Sequence, residues 1–127
     1  MAIPIRINFE EIPAFELGVG MGINFSIPCT NYDPVGKLIE FRIEREDDPN
    51  LFYTTDSDAA YINAFPQVGD VAAYVSFAIP SSVLTAVAVI GKKTNYGIDF
   101  RPSAGADPTF RLQGDMLWTR PIGAPHD

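Results

Sequence analysis

The sequence contains very little cysteine and histidine. Its 127 residues include one cysteine, Cys29, and one histidine, His126. A single cysteine excludes an internal disulfide, and the usual zinc sites need several Cys and His ligands. The histidine is the next-to-last residue of the sequence. We therefore do not expect it to act as the base of a catalytic pair with a nucleophile. The sequence therefore predicts no metal and no cofactor.

Long apolar runs are absent as well. No segment approaches the roughly 20 apolar residues that a membrane helix requires. The N-terminus has neither the basic region nor the continuous apolar region of a secretory signal peptide. We expect a soluble chain that is made in a cytoplasm and has no membrane partner.

Basic residues are few. The net charge is −7, and seven carboxylates lie between Glu40 and Asp58 against two arginines. Affinity for nucleic acid comes largely from cationic contacts with phosphates. An acidic chain of this kind predicts no nucleic-acid partner, and the acidic segment is interpreted as a solvated surface.

Turn residues separate short alternating segments throughout the chain, which has eleven prolines and ten glycines. The strongest pattern is a β-hairpin with strands at 95–102 and 109–119. In the first strand Tyr96, Ile98 and Phe100 alternate with polar residues or glycine, as in a half-buried strand. The same pattern predicts further strands at 3–9, 17–28, 37–45, 51–55, 59–65 and 71–79, with a connector at 10–16.

Residues 80–90 are ambiguous. Ser81 or Ser82 could cap one or two helical turns, whereas the β-branched residues argue equally for a strand. We favour a short helical turn that crosses from one sheet to the other. The chain is thus predicted to be an all-β, antiparallel β-sandwich with one short helical turn. A small barrel is the alternative. It forms one domain over 1–127, with an N-terminal arm at 1–16 and a C-terminal tail at 120–127.

Paired acids do not indicate catalysis. No carboxylate pair lies in the apolar setting that would raise the pKa of a catalytic acid. Asp47, Asp48, Asp56 and Asp58 lack the spacing of a calcium loop. The glycines at 18–22 lack the strand-to-helix unit of a phosphate loop. We predict that the chain is not an enzyme.

The aromatic residues leave one question open. Met116 and Trp118 lie on the opposite face of their predicted strand from Leu117. One of these sets must lie outside the local core, or be covered by the helical turn or by a partner. A core or interface position for Trp118 is favoured over a platform for carbohydrate.

The edges of the predicted sheets carry few charges. Segments 3–9 and 17–27 are apolar or glycine-rich, and such edges invite strand addition by another chain. This pattern favours a component of an assembly.

Several motifs resemble a known family in their order. They are Gly36-Lys-Leu-Ile-Glu-Phe-Arg-Ile-Glu44, Phe77-Ala-Ile-Pro80 with the Ser-Ser-Val-Leu-Thr turn, Tyr96-Gly-Ile-Asp-Phe100 and Gly114-Asp-Met-Leu-Trp118. This order resembles the immunoglobulin-like N-terminal domain of tailed-phage baseplate and tail-fibre adaptor proteins, which include the upper baseplate protein of lactococcal siphophages. The resemblance covers roughly residues 18–120. In that family the domain continues into a receptor-binding region, whereas this sequence ends at Asp127, which favours an adaptor.

The resemblance implies an immunoglobulin-like sandwich that is a structural subunit of a virion, in the tail, baseplate or fibre-attachment region. Its partners would be other virion proteins and copies of itself. The alternatives are a capsid decoration or head-fibre protein, or a small carbohydrate-binding module. The predicted interface residues belong to the two terminal segments and the closing strand: Ile3, Ile5, Ile7, Phe9, Trp118, Arg120, Pro121 and Ile122.

Overall fold

A computed structural model describes the backbone of residues 6–7 and 15–18 and the complete residues 22–119. Within these ranges the chain forms strands and one 3-10 helix, Ser81–Val83. The strands are β1 (Arg6–Ile7), β2 (Phe15–Gly18), β3 (Ile23–Thr30), β4 (Leu38–Arg45), β5 (Phe52–Asp56), β6 (Ile62–Phe65), β7 (Ala73–Ile79), β8 (Lys93–Arg101) and β9 (Phe110–Thr119).

The strands form two sheets. One has the order β1-β3-β7-β6 and the other the order β2-β9-β8-β4-β5. Immunoglobulin domains arrange strands A, B, E and D in one sheet and G, F, C and C′ in the other. The observed orders match this arrangement, with β2 as an additional strand beside β9. The predicted all-β sandwich is confirmed. One pair departs from a purely antiparallel arrangement, because β2 runs parallel to β9.

Alternation places the core between the sheets. Ile39, Phe41 and Ile43 of β4 are fully buried, as predicted, while Arg42 between them is exposed. The same alternation buries residues of β3, β7, β8 and β9. Phe77 lies at the centre, stacked on Phe25 with ring centroids 4.6 Å apart. The apolar face of each strand therefore faces the other sheet.

The connection from β7 to β8 crosses between the sheets. It contains the 3-10 helix and then turns, with no strand between Pro80 and Lys92. Leu84 and Val87 are fully buried in the core, so the crossing contributes apolar packing. The predicted short helical turn is confirmed.

Three predicted segments differ from the structure. The segment predicted as a connector includes the start of β2, which begins at Phe15. The glycine-rich segment that follows is not one strand, because Gly18 ends β2 in one sheet and Ile23 begins β3 in the other. In addition, the predicted strand 59–65 begins only at Ile62, because the main chain turns after Asp56, where Ala59 N donates to Asp56 O at 3.0 Å.

The end of the β4–β5 pair depends on one serine. Ser57 Oγ accepts a hydrogen bond from Ile39 N at 2.9 Å and donates one to Lys37 O at 3.1 Å. Replacing Ser57 with alanine leaves both part-buried backbone groups without this partner. We expect the free energy of unfolding to fall by about 1–2 kcal/mol, measured by urea unfolding. Ser82→Ala, an exposed serine in the 3-10 helix, is the control. An equal effect of both changes would contradict this role of Ser57.

Candidate functional site: an outer sheet face, its open edge and a hairpin tip

Trp118 belongs to the core. Its side chain is fully buried, and its indole Nε1 donates to Thr94 Oγ1 at 3.0 Å. The Thr94 hydroxyl in turn donates to Met116 O at 3.2 Å. Trp118 therefore cannot touch a partner or form a platform for a glycan, and its assignment to the interface was wrong. The outward residue is Leu117, because the alternation of β9 continues unbroken through Gly114.

The remaining predicted interface residues are not tested by the structure. Ile7 lies in β1 opposite Cys29 of β3, so its backbone belongs to the edge of the smaller sheet. Its side chain lies outside the described residues, as do residues Ile3, Ile5, Phe9, Arg120, Pro121 and Ile122.

The outer face of the five-stranded sheet forms a wide polar depression of about 1030 Å³. Strand register aligns Thr54, Arg42, Gly97 and Gln113 in one row across four strands. Gly97 leaves the centre of this row without a side chain. A Cβ added there would meet only Leu112 O, at 3.8 Å. Main-chain atoms therefore form the base of the depression at Gly97, and polar side chains surround it.

Ion pairs connect the strands around this depression. Asp99 accepts hydrogen bonds from Arg111 Nε at 2.7 Å and Arg101 Nη2 at 3.2 Å. Arg101 also pairs with Glu40 of β4 and donates to Ala106 O at 2.6 Å. The hydrogen bond to Asp99 raises the pKa of Arg111. Partly exposed pairs of this kind stabilise a fold by about 1 kcal/mol or less, so their main effect is to hold the polar groups in place.

Strand β5 forms one edge of the same sheet. Its register with β4 and the flanking bonds Ser57 N to Ile39 O and Arg45 N to Leu51 O show which residues bond to β4. Backbone groups alternate sides along a strand. The N–H and C=O groups of Phe52, Thr54 and Asp56 therefore point away from β4, toward an edge that no other strand of the described residues covers, and we call it the open edge.

Phe52 is the large apolar residue on this edge. Its side chain is 45% exposed, and the guanidinium carbon of Arg42 lies 4.0 Å from the centroid of its ring. A cation over an aromatic face is attracted by the ring quadrupole. The outer corner of the sheet thus presents an aromatic ring beside an arginine, and this arginine also donates from Nε to Glu44 Oε2 at 3.0 Å.

A second exposed apolar surface lies at the turn between β6 and β7, and we call Phe65, Val68 and Val71 the hairpin tip. Val68 and Val71 are 68% and 62% exposed. Their backbones exchange hydrogen bonds of 3.0 and 2.9 Å. Phe65 stacks on Tyr74 with ring centroids 4.7 Å apart. The hairpin tip therefore holds apolar side chains outward on an ordered turn.

The acidic residues of the loop that follows β4 take part in local interactions. Asp47 pairs with Arg45 at 2.6 Å and with Lys92 at 3.4 Å. The hydrogen bond from Arg45 lowers the pKa of Asp47 to about 2. Asp48 Oδ1 accepts a hydrogen bond from Asn50 N at 3.1 Å. In the part of the chain that the structure describes, no group of three His, Cys, Asp or Glu residues could hold a metal ion.

Two buried groups make stability sensitive to alkali. Burial raises the pKa of the Cys29 thiol from 9.0 to about 11 and that of Tyr96 from 10.0 to about 12. Folding therefore favours the protonated forms, so their contribution is complete below pH 9.0 and is lost as the pH rises toward 12. We expect a lower urea midpoint at about pH 11 than at about pH 8, where the contribution of both groups is still complete. In Cys29→Ala the urea midpoint should fall less over the same pH range. A variant with the same pH dependence as the wild type would contradict the contribution of the Cys29 thiol.

Among the described residues, no helix is long and apolar enough to cross a membrane. Comparison with protein-family models gives no match to this chain, and comparison with curated proteins gives none either.

Proposed function

We propose that this chain is a structural subunit of a tailed-phage virion, in the tail, baseplate or fibre-attachment region. Its partners are other virion proteins and further copies of itself. It acts by packing against these neighbours, and it performs no chemical reaction. The virion is its location after synthesis in the host cytoplasm.

The resemblance of motif order supports the phage assignment. The motif that begins at Gly36 runs into β4, and the motif that begins at Phe77 ends β7 and enters the 3-10 helix. The motifs at Tyr96 and Gly114 lie within β8 and β9. All of them therefore belong to the strands and the crossing of an immunoglobulin-like sandwich, which is the fold that the resemblance implies.

The hairpin tip is the observation that supports a packing function. Exposed side chains of Phe65, Val68 and Val71 form an apolar surface on a hydrogen-bonded turn. Removal of apolar surface from water is the main favourable contribution to most protein–protein association. We assign this surface to a neighbouring virion protein with an apolar recess.

Mass spectrometry of purified phage particles tests this function. We expect the chain in the particles, in the tail fraction after heads and tails are separated. Val68→Asp places a charge on the hairpin tip and should reduce incorporation at least about tenfold, because an unpaired charge would be buried at the interface. Ala104→Asp, a charge on the exposed β8–β9 loop, should leave incorporation unchanged.

The possible results separate the alternatives. A chain that is absent from the particles would contradict the proposed function, and a chain found only with heads would support capsid decoration instead. Normal incorporation of Val68→Asp would contradict the role of the hairpin tip.

The polar depression favours carbohydrate binding as a second candidate function. Asn95, Asp99 and Gln113 line it, and amide and carboxylate groups can hydrogen-bond to sugar hydroxyls. A glycan array with the wild-type chain and with Gln113→Ala tests this function. Binding that the change abolishes would support it, whereas an absence of binding would reject it. Trp118→Ala is unsuitable for this test, because Trp118 is buried in the core.

A further inference from the structure

We propose that the open edge of β5 binds the same edge of a second copy of this chain. The two β5 strands pair in antiparallel fashion about a two-fold axis at Thr54 and join the two five-stranded sheets into one. This association does not depend on the virion, so it can be tested with the purified chain alone.

The residues of β5 leave this edge without the usual protection. Exposed edges are commonly guarded by charged side chains, above all lysine, or by proline, a bulge or short length. The segment Phe-Tyr-Thr-Thr-Asp of β5 contains no proline, lysine or arginine, and its one charged residue is Asp56 at its end. Strand β6, at the edge of the other sheet, is shorter and is followed directly by Pro66. Of these two edges, β5 is the one suited to pairing.

The register of the proposed pair follows from the free backbone groups. Centring the axis on Thr54 places Thr54 opposite Thr54 of the partner subunit. It also places Phe52 opposite Asp56 of the partner subunit. These are the residues whose N–H and C=O groups point away from β4, and antiparallel strands exchange both bonds at alternate pairs. Asp56 O already accepts a bond from Ala59 N, and a carbonyl oxygen can accept a second one.

Side-chain charge is complementary in the same register. Among the described residues, Asp56 has no ion pair, and its Oδ1 accepts only the local bond from Asp58 N at 2.9 Å. Arg42 lies over Phe52, which is the residue opposite Asp56 of the partner subunit. The pairing therefore brings each Asp56 carboxylate toward the Arg42 guanidinium of the other copy, twice per dimer. Arg42 already pairs through Nε with Glu44 Oε2 at 3.0 Å, so Asp56 of the partner subunit is its second carboxylate partner.

These features favour a second copy over a different protein as the occupant. A two-fold interface requires a surface that is complementary to itself. Here threonine meets threonine at the centre, and on either side the aromatic ring with its arginine meets the acid. One edge of the sheet, with β5 and Arg42 of the neighbouring β4, thus supplies both halves of the interaction.

Disulfide cross-linking tests the register directly. Thr54→Cys places two thiols across the axis, where Cα atoms of a hydrogen-bonded pair lie about 5.5 Å apart. Disulfides form at Cα separations of about 4.4–6.8 Å. Under mild oxidation we expect a cross-linked dimer on a non-reducing gel. Gln113→Cys, exposed on the same face but three strands away, is the matched control and should give no cross-linked dimer.

Sedimentation of the purified chain tests the association without added cysteine. We expect a concentration-dependent dimer that is lost in Thr54→Pro, because proline removes the N–H that faces the partner. That N–H does not bond to β4, so the fold is retained. Thr54→Val keeps the N–H and should keep the dimer. Asp56→Asn should weaken association about threefold to tenfold, through the two lost charge pairs.

The proposal is overturned if the wild-type chain sediments as a monomer and Thr54→Cys cross-links no faster than Gln113→Cys. A dimer that survives in Thr54→Pro would also overturn it. These results are independent of particle incorporation, so the failure of either proposal can be recognised without the other.

Discussion

Replacement of Trp118 with alanine is expected to lower the free energy of unfolding by about 3–5 kcal/mol, which is the usual cost of removing a large buried aromatic side chain. The indole fills the core and also supplies the N–H that bonds to the buried Thr94 hydroxyl. Because Trp118 is the one tryptophan of the chain, unfolding in urea should be followed by circular dichroism.

Two further variants separate packing from hydrogen bonding at this position. Trp118→Phe keeps much of the apolar volume and should cost less than the alanine change. Thr94→Val leaves the indole N–H without its acceptor inside the core, and it should cost about 1–3 kcal/mol. An alanine variant as stable as the wild type would show that Trp118 is not a core residue.

Replacement of Gly114 with alanine is expected to cost about 1–3 kcal/mol. Gly114 lies opposite Tyr96 in the β8–β9 pair, and the Tyr96 ring occupies the space above it. An added Cβ would lie 2.5 Å from Tyr96 Oη and 2.6 Å from its Cζ. The ring would have to move within the core, where Tyr96 is buried and stacks on Phe41 with centroids 6.0 Å apart.

Gly97 provides the matched control for this change. It lies in β8 of the same sheet, but a Cβ there would have its nearest neighbour at 3.8 Å, which is ordinary contact. Gly97→Ala should therefore be neutral or slightly stabilising, because alanine loses less backbone entropy than glycine on folding. Equal destabilisation by both changes, measured by urea unfolding, would refute the steric argument for Gly114.

Much of the fold follows from local alternation. Strand β4 was predictable because Ile39, Phe41 and Ile43 are separated by charged residues that need water, and both facts indicate one buried face. The β8–β9 hairpin was predictable for the same reason, helped by the turn residues between its strands. In each of these elements, the alternation of apolar and polar residues identifies the inward side without reference to any partner strand.

Other features depend on partners that are distant in sequence. Phe15 to Gly18 pair in parallel with Met116 to Thr119, and nothing local in either segment specifies that direction. The alternating apolar residues and glycines suggested one strand, although the chain leaves one sheet and joins the other within that segment. Three consecutive large residues at 116–118 left the inward side undecided in the sequence, and the burial of Met116 and Trp118 in the structure identifies it.

The candidate surfaces were less accessible to sequence reasoning. The polar residues of β4 and β8 were expected to face outward, but the row through Arg42 and Gly97 exists only because of the strand register. The open edge of β5 depends on the strand order of the whole sheet. A usable signal was present in its composition, since Phe-Tyr-Thr-Thr carries no charge, in a region of the chain that is otherwise acidic.

The parallel pairing of β2 with β9 has a mechanical consequence. If tension enters through the segment before Phe15 and leaves through the segment after Thr119, it pulls the two strands along their length in opposite directions. All the hydrogen bonds of the pair, from Phe15–Met116 to Gly18–Thr119, then share the load and must break together. An antiparallel hairpin pulled from its open end would instead lose its bonds one at a time. Such a junction resists stretching far better than its four-residue length suggests.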